Sequence, residues 1–426
     1  MFKLESQVVL AVGIFVVTYL LIMSEKINRT SVALVGAVVL LLFNVITQEE
    51  AVHHIDFNTI GLLIGMMIIV NIMKRSGIFE YIAIVAAKHA KGDPLKILIL
   101  FAIFTAISSA FLDNVTTILL IVPVTLVITD ALKISPVPIL MPLILVANIG
   151  GTATLIGDPP NIMIGSATGL GFNDFFINLA PVVVVIFLVT LFLVKIMSKK
   201  SLEVSEAQKK VIMGFDESLA IKDILLLKKS VGVLGLTILG FMLHQKFGYE
   251  SATVAFLGAS LLLLISGINP EEILIEIEWP TIFFFASLFV LVGGLEMVGV
   301  IDILADKLLT LTKDNLFLTT MVILWGAAIA SAFLDNIPFV ATMIPLIKSI
   351  GLMSTMSITP LWWALALGAC LGGNGTLVGA SANVIVSGML EKHGEKLGFV
   401  QYMKVGFPMM LLSVAISSVY LMVFYL

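Results

Sequence analysis

The sequence is poor in the side chains that hold metals and do covalent chemistry. Its 426 residues include one cysteine, Cys370, and five scattered histidines, His53, His54, His89, His244 and His393. A single cysteine excludes an intrachain disulfide framework and a cysteine-cluster metal site, and histidines so dispersed do not suggest a ligand set. No cofactor is expected. The chain has no Gly-x-x-x-x-Gly-Lys-Ser/Thr segment, so ATP hydrolysis by it is not expected. No nucleophile–base pair stands out, and an enzyme is not expected either. Charge is scarce as well: 12% of residues are Asp, Glu, Lys or Arg, against 59% hydrophobic, for a net charge of −4. With a mean hydropathy of +1.13, this is no soluble domain and no nucleic-acid binder.

What is there is a series of long apolar runs. They are continuous rather than alternating, which selects transmembrane helices over a barrel. The first run, from Val8 to Met23, has no basic leader and no small-residue cleavage pattern, and a second run follows it directly. It reads as a retained helix rather than a signal peptide.

Inside these runs lies a repeat. Ser109-Ala110-Phe111-Leu112-Asp113-Asn114 returns unchanged as Ser331-Ala332-Phe333-Leu334-Asp335-Asn336, 222 residues later. The same offset pairs Glu49-Glu50 with Glu271-Glu272, Thr59 with Thr281, Gly77 with Gly299, and Pro123 with Pro345. It also pairs Gly150-Gly151 with Gly372-Gly373, Gly157 with Gly379, and Asn161 with Asn383. Apolar helices align anywhere, but matched Asp, Asn, Gly and Pro at one offset mean internal repetition. After Asn383 the register slips, as Pro181 and Pro408 show.

Each half reads as five spanning segments, one of them broken, plus a helical hairpin. In residues 1–195 the hairpin covers about 97–131 and the broken helix about 137–165. In residues 229–426 they cover about 317–350 and about 359–388. A hairpin leg such as Ile97 to Leu112 is about 24 Å long, short of the roughly 30 Å hydrocarbon core, which favours re-entrance over crossing. Residues 196–228 carry mixed charge and no long apolar run, and read as a solvated cytoplasmic linker. Segments 78–90 and 300–312 read as interfacial helices that join a scaffold to a moving part.

Basic residues set the orientation. With the termini outside, Lys26, Arg29, Lys74, Arg75, Lys88, Lys91, Lys96, Lys133, the linker lysines and Lys392, Lys396 and Lys404 fall inside, 19 of 24 Lys and Arg. Five crossings per half then insert the second half upside down, the inverted-repeat plan of secondary transporters. The expected place is the inner, plasma membrane of a cell, with several passes.

An acid at mid-bilayer costs about 2.5–3.5 kcal/mol or more, so it marks a functional site by default. Asp113 and Asp335 at the hairpin tips have three jobs open to them: to ligate a cation, to carry a proton, or to cap the following helix leg. Each tip has a partner element in which glycine and proline break a helix. One runs Asn148-Ile149-Gly150-Gly151-Thr152-Ala153-Thr154-Leu155-Ile156-Gly157-Asp158-Pro159-Pro160-Asn161. The other runs from Gly372-Gly373-Asn374-Gly375-Thr376 to Gly379-Ala380-Ser381-Ala382-Asn383. Backbone that leaves a helix at membrane depth must line a cavity or be buried in protein, and its freed groups can hold Na⁺ or an anion.

The candidate ligands of a substrate or ion are therefore Asp113, Asn114, Thr116, Thr117, Gly151, Thr152, Thr154, Asp158 and Asn161 in the first half. In the second they are Asp335, Asn336, Gly373, Asn374, Thr376, Ser381 and Asn383. Asp113, Asn114 and Thr154 are the candidates for Na⁺, because the first site is richer in oxygen. Asp158, whose counterpart is Ala380, either serves the first site or caps the half-helix after Pro159-Pro160. Cys370 is either packing or a thiol for As(III).

At these motifs the sequence resembles the ion-transporter superfamily, in its ArsB/NhaD branch of arsenite pumps and sodium–proton antiporters. The resemblance covers nearly the whole chain and is nearest to bacterial relatives of the pink-eyed dilution P protein. It rests on Phe111-Leu112-Asp113-Asn114-Val115-Thr116-Thr117, Gly157-Asp158-Pro159-Pro160-Asn161 and the Gly372–Asn383 segment. It implies a scaffold, a transport domain with two hairpins, elevator-like movement, a homodimer in the lipid bilayer and, for the arsenite branch, an ATPase subunit as partner. Sodium–dicarboxylate symporters of the superfamily carry Ser-Asn-Thr at both tips where this chain has Leu-Asp-Asn. That turns the expectation toward exchange of protons or cations. The leading expectation is export of a small inorganic solute or oxyanion, arsenite or antimonite, driven by protons. Na⁺/H⁺ antiport, Na⁺-coupled transport of a dicarboxylate or other anion, and an anion channel are the alternatives.

Overall fold

The computed structural model describes residues 2–24, 26–198 and 202–426, with side chains from Ser6 onward. Lys3, Lys199 and Lys200, counted above for orientation, have side chains outside the described ones. Every regular element is a helix. The first half contains α1 (Phe2–Met23), α2 (Arg29–Leu42), α3 (Gln48–His54), α4 (Phe57–Arg75), α5 (Ile78–His89), α6 (Pro94–Leu112), α7 (Asn114–Leu132), α8 (Val137–Gly151), α9 (Pro159–Thr168) and α10 (Phe172–Ser198). The short α11 (Glu206–Met213) follows. The second half contains α12 (Ile224–Phe247), α13 (Ser251–Ser266), α14 (Pro270–Ile275), α15 (Trp279–Met297), α16 (Val300–Thr312), α17 (Leu316–Phe333), α18 (Asn336–Met353), α19 (Thr359–Gly372), α20 (Ser381–Lys392) and α21 (Phe399–Phe424).

Local chemistry sets many of these boundaries. Asn28, Thr47, Asp56, Asp93, Asp223 and Asn269 each cap the helix that follows with a side-chain oxygen, a contribution of about 1 kcal/mol apiece. Proline opens α6, α9 and α14, where its missing N–H costs nothing. Gly77 and Gly299 turn the chain from α4 into α5 and from α15 into α16 with φ of +81° and +75°, a conformation that suits glycine.

Among the described residues, ten helices are long and apolar enough to cross a membrane by length and composition, α6, α7, α17 and α18 among them. This corrects the argument from leg length. α6 has 19 residues, about 28 Å, so length alone does not make the hairpin re-entrant. What distinguishes the hairpin is its tip, where Leu112, Asn114 and Thr117 are buried in protein.

The helices form two bundles. One packs α4 on α13 and α15 on α2, with α1 and α12 alongside. The other packs α6 on α8 and α17 on α19, closed by α10 and α21. The packing is reciprocal: α9 lies on α18 as α20 lies on α7. α8 and α19 form the centre, and every residue from Pro360 to Gly372 is buried. α5 and α16 run beside the hairpin legs α7 and α18.

Most of 202–228 is exposed, as its charge suggests, but the segment is docked at a few points. Leu202 and Ile212 are buried against the first hairpin. Gln208 Nε2 donates to the Leu132 carbonyl at 2.6 Å, and the Lys222 amide donates to the Ser76 carbonyl at 3.0 Å. Lys88 on α5 pairs with Glu217 and holds its carboxyl below the usual range. A Cβ on Gly77 would stand 1.8 Å from the Ala220 carbonyl oxygen. Two apolar side chains and a few backbone bonds thus clamp 202–222 onto the end of the first hairpin.

Candidate functional site

The two hairpin tips and the two broken loops meet in the middle of the second bundle. Between α8 and α9 the chain leaves the helix at 152–158; between α19 and α20 it leaves at 373–380. The loops stay close to their hairpins because glycine lets backbone touch backbone. A Cβ on Gly157 would lie 2.5 Å from the Gly151 oxygen and 2.7 Å from the Ser109 oxygen, and one on Gly379 would lie 2.7 Å from the Gly373 and Ser331 oxygens.

Amides tie the loops together internally. Asn161 Nδ2 donates to the carbonyls of Thr152 (3.2 Å) and Thr154 (2.8 Å). Asn383 Nδ2 donates to those of Gly373 (2.7 Å) and Thr376 (2.9 Å). Thr154 and Thr376 donate to the carbonyls of Ala110 and Ala332 at the hairpin ends, and Thr152 donates to that of Asn148 at 2.8 Å. Much of the oxygen freed by the helix breaks is therefore satisfied by side chains.

One residue makes several bonds between the halves. Asn148, wholly buried on α8, accepts from Asn114 Nδ2 at 3.0 Å and donates to Asn374 Oδ1 at 2.9 Å and Asn383 Oδ1 at 3.0 Å. At the 222-residue offset its counterpart is Cys370, whose thiol lies 3.5 Å from Asn161 Oδ1. The two central positions thus reach across to corresponding asparagines, Asn383 and Asn161.

The two acids sit in unlike surroundings. Asp113 has φ +80°, ψ 158°, a strained region for a side-chain-bearing residue that costs about 1–3 kcal/mol. Its Oδ1 accepts from the Thr116 amide and its Oδ2 from the Thr116 hydroxyl, both at 2.7 Å. Asp335 has an unstrained backbone, φ −54° and ψ 136°. Its Oδ1 caps α18 through the Ile337 amide at 3.1 Å. Its Oδ2 accepts from the Ser381 hydroxyl at 2.9 Å and pairs with Arg29 of α2. Both acids therefore act as caps, but Asp113 uses both oxygens on Thr116, whereas Asp335 keeps its second for Ser381 and Arg29.

Asp158 begins α9 but makes no side-chain cap bond. Its Oδ1 accepts from Asn336 Nδ2 at 3.3 Å, across to the second tip. Among the described residues, Asp158 Oδ2, Asn114 Oδ1 and Thr117 Oγ1 are buried without a hydrogen-bond partner. Of the three groups expected to hold Na⁺, Asn114 alone offers a free oxygen; Asp113 and Thr154 are engaged as above. No group of three or more His, Cys, Asp or Glu is placed to hold a metal among the described residues.

Sequence reasoning missed two residues here. Arg29 reads as one inner-loop charge among many, and its offset partner is Ser251. Asn148 fails the repeat test because its partner is cysteine. A polar side chain inside a run as apolar as Val137–Gly151 was the one signal available for Asn148.

A protein-family model described as CitMHS, citrate transporter, matches residues 19–368. An uncharacterized transporter of Mycobacterium tuberculosis is 43% identical over 419 residues, 97% of each chain. The P protein of Homo sapiens is 33% identical over 505 residues, which take in 99% of this chain and 60% of that one. Among solved structures, MtrF of Neisseria gonorrhoeae, described within a class of antimetabolite efflux pumps, superposes with a TM-score of 0.61 at 14% identity, over 91% of this chain and 84% of that one. The YdaH transporter of Alcanivorax borkumensis gives 0.58 at 14% identity, over 88% and 86%. At such identity the likeness is one of fold.

Proposed function

The chain belongs to the CitMHS citrate-transporter family, within the ion-transporter superfamily, and from that we propose a secondary active transporter that moves a small anion, coupled to H⁺ or Na⁺ through Asp113 and Asp335. Multi-pass membrane transport is the family's ground; the solute and the coupling are our reading. The observation that carries it is a pair of buried crossings: the first tip and the second broken loop meet at Asn148, and the second tip reaches Asp158 of the first broken loop. Such a site has one polar centre in an apolar bundle and two acids that can change charge. The anion is favoured because Arg29 stands beside the second tip, and because the family is described as a citrate transporter.

Na⁺/H⁺ exchange is the second reading, supported by the unpartnered oxygens of Asn114, Thr117 and Asp158. Arsenite or antimonite export has less support. The neutral As(III) hydroxide would leave Arg29 unused, and the Cys370 thiol is wholly buried against Asn161. In this reading residues 1–195 and 229–426 are inverted repeats, 196–228 is cytoplasmic and both termini are outside. The bundle of hairpins and broken helices moves as an elevator against the other, in a homodimer of the cell membrane.

Flux in proteoliposomes under imposed proton and sodium gradients tests the function, with citrate, succinate, chloride, arsenite and Na⁺ as solutes. Uphill anion movement driven by one gradient is expected. Currents that follow only the anion's own gradient would make it a channel, and pH-driven Na⁺ flux without an anion would select the second reading. Orientation is tested by single cysteines placed in 206–213 in a Cys370→Ala background. Labelling is expected only after permeabilisation, and labelling of intact cells would reverse the topology.

A further inference from the structure

Among the described residues, Arg29 is the cation that pairs with a tip acid. It is the first residue of α2, in the α4–α13 bundle, and it crosses to the hairpin bundle. Its Nη1 pairs with Asp335 Oδ2 and donates to Ser381 Oγ at 2.7 Å. The Ser381 hydroxyl donates to the same Asp335 oxygen at 2.9 Å. The Phe284 ring lies 4.9 Å from the guanidinium carbon, which fixes its plane by a cation–π contact. Among the described residues Nε and Nη2 carry no hydrogen bond, and 32% of the side chain is exposed.

That exposed part belongs to a cavity of about 430 Å³ between the α1–α2 turn and the second tip, lined by Tyr19, Lys26, Arg29, Asp335 and Ser381 among others. Lys26 pairs with no carboxylate among the described residues. Among the described residues the cavity is therefore lined by two cations and one acid, beside an apolar wall of Ile22, Phe333 and Val378.

We propose that this cavity is where the solute's anionic group binds, with Arg29 as its anchor and Lys26 as a second charge. The proposal rests on the reading above that the solute is a small anion. Asp335 is the internal stand-in: its carboxylate on Arg29 and Ser381 displays the geometry an incoming carboxylate would adopt. A guanidinium offers a planar fork of parallel donors that a point-charge lysine lacks. The volume lies within the roughly 300–1,000 Å³ of small-molecule sites. A di- or tricarboxylate engages Arg29 and Lys26 together.

Replacement has a mechanical consequence. Arg29 is on one bundle, while Asp335 and Ser381 are on the other. A solute carboxylate that takes Arg29 from Asp335 removes the ion pair that ties the second tip to its neighbour, so binding and untying are one event.

Calorimetric titration of citrate, succinate and sulfate into the purified full-length chain, at fixed ionic strength, tests this. Wild-type protein is expected to bind citrate. Arg29→Gln should weaken binding by about tenfold or more, Arg29→Lys should recover part of it, and Lys26→Gln should cost less. Asp335→Asn should bind citrate at least as tightly as wild type, because the competing carboxylate is gone. A single species in size exclusion establishes that each variant is folded. Wild-type affinity in Arg29→Gln overturns the proposal, as does weaker binding in Asp335→Asn or a wild-type chain that binds none of the three anions. The coupling reading stands or falls separately, on flux through Asp113 variants whose citrate binding is intact.

Discussion

Vesicles carrying Asp113→Asn are expected to lose gradient-driven solute accumulation by about 100-fold, equivalent to ~2.7 kcal/mol, with the protein still folded. The substitution is a clean one. An amide keeps an oxygen for the Thr116 amide proton, and asparagine, isosteric with aspartate, meets the strained backbone of φ +80°, ψ 158° at about the same cost. What it removes is the ability to change charge, and with it the exchange of a proton or cation at the first tip. Asp335→Asn should also stop uphill transport, for a related reason: the tip loses its ionic partner on α2. The measurement is uptake under an imposed gradient, normalised to reconstituted protein. If Asp113→Asn accumulates solute as wild type does, the acid is a helix cap only and the coupling scheme is wrong.

Asn148→Leu is expected to be the most destabilising substitution in the hairpin bundle. Leucine keeps asparagine's branching and suits a helix, though its bulkier methyl groups add some overpacking at this wholly buried position. The main loss is polar. Asn114, Asn374 and Asn383 each lose a partner in a fully buried centre. An interhelical hydrogen bond in a membrane protein is worth roughly 0.5–2 kcal/mol, so three at one node sum to about 1.5–6 kcal/mol. Thermal unfolding in detergent should show a clearly lowered midpoint, with Asn374→Ala affected less because two of the three bonds remain. A midpoint equal to wild type would show that the node is bridged by other groups.

Much of the framework was legible before any coordinates, and the reason is the repeat. At an offset of 222 residues α4 maps onto α15 with identical bounds, and α6, α7, α8 and α9 map onto α17, α18, α19 and α20 to within two residues. Paired Asp, Asn, Gly and Pro located the tips and the breaks because those residue types are costly in apolar helices unless structure requires them. The repeat was silent where the halves differ. Arg29 faces Ser251 and Asn148 faces Cys370, so a filter for matched polar residues passes over both. Their roles rest on contacts 306 and 226 residues away, which periodicity cannot report. The linker's docking went unseen for another reason. Its composition is that of a solvated segment, and two buried side chains, Leu202 and Ile212, are too few to register as a pattern yet enough to dock it.

The node at Asn148 also bears on how the protein is made. Ribosomes add about 5–20 residues per second, so Asn374, 226 positions later, follows Asn148 out of the ribosome after a delay on the order of 10–50 s. During that interval the first half sits in the bilayer with its central amides uncovered, and only Asn114 is at hand to meet Asn148. The second half is then a template-closing piece that arrives late and completes a centre begun by the first. A message cut short after the linker would leave a product whose most buried polar groups face lipid, a substrate for membrane quality control rather than half a transporter.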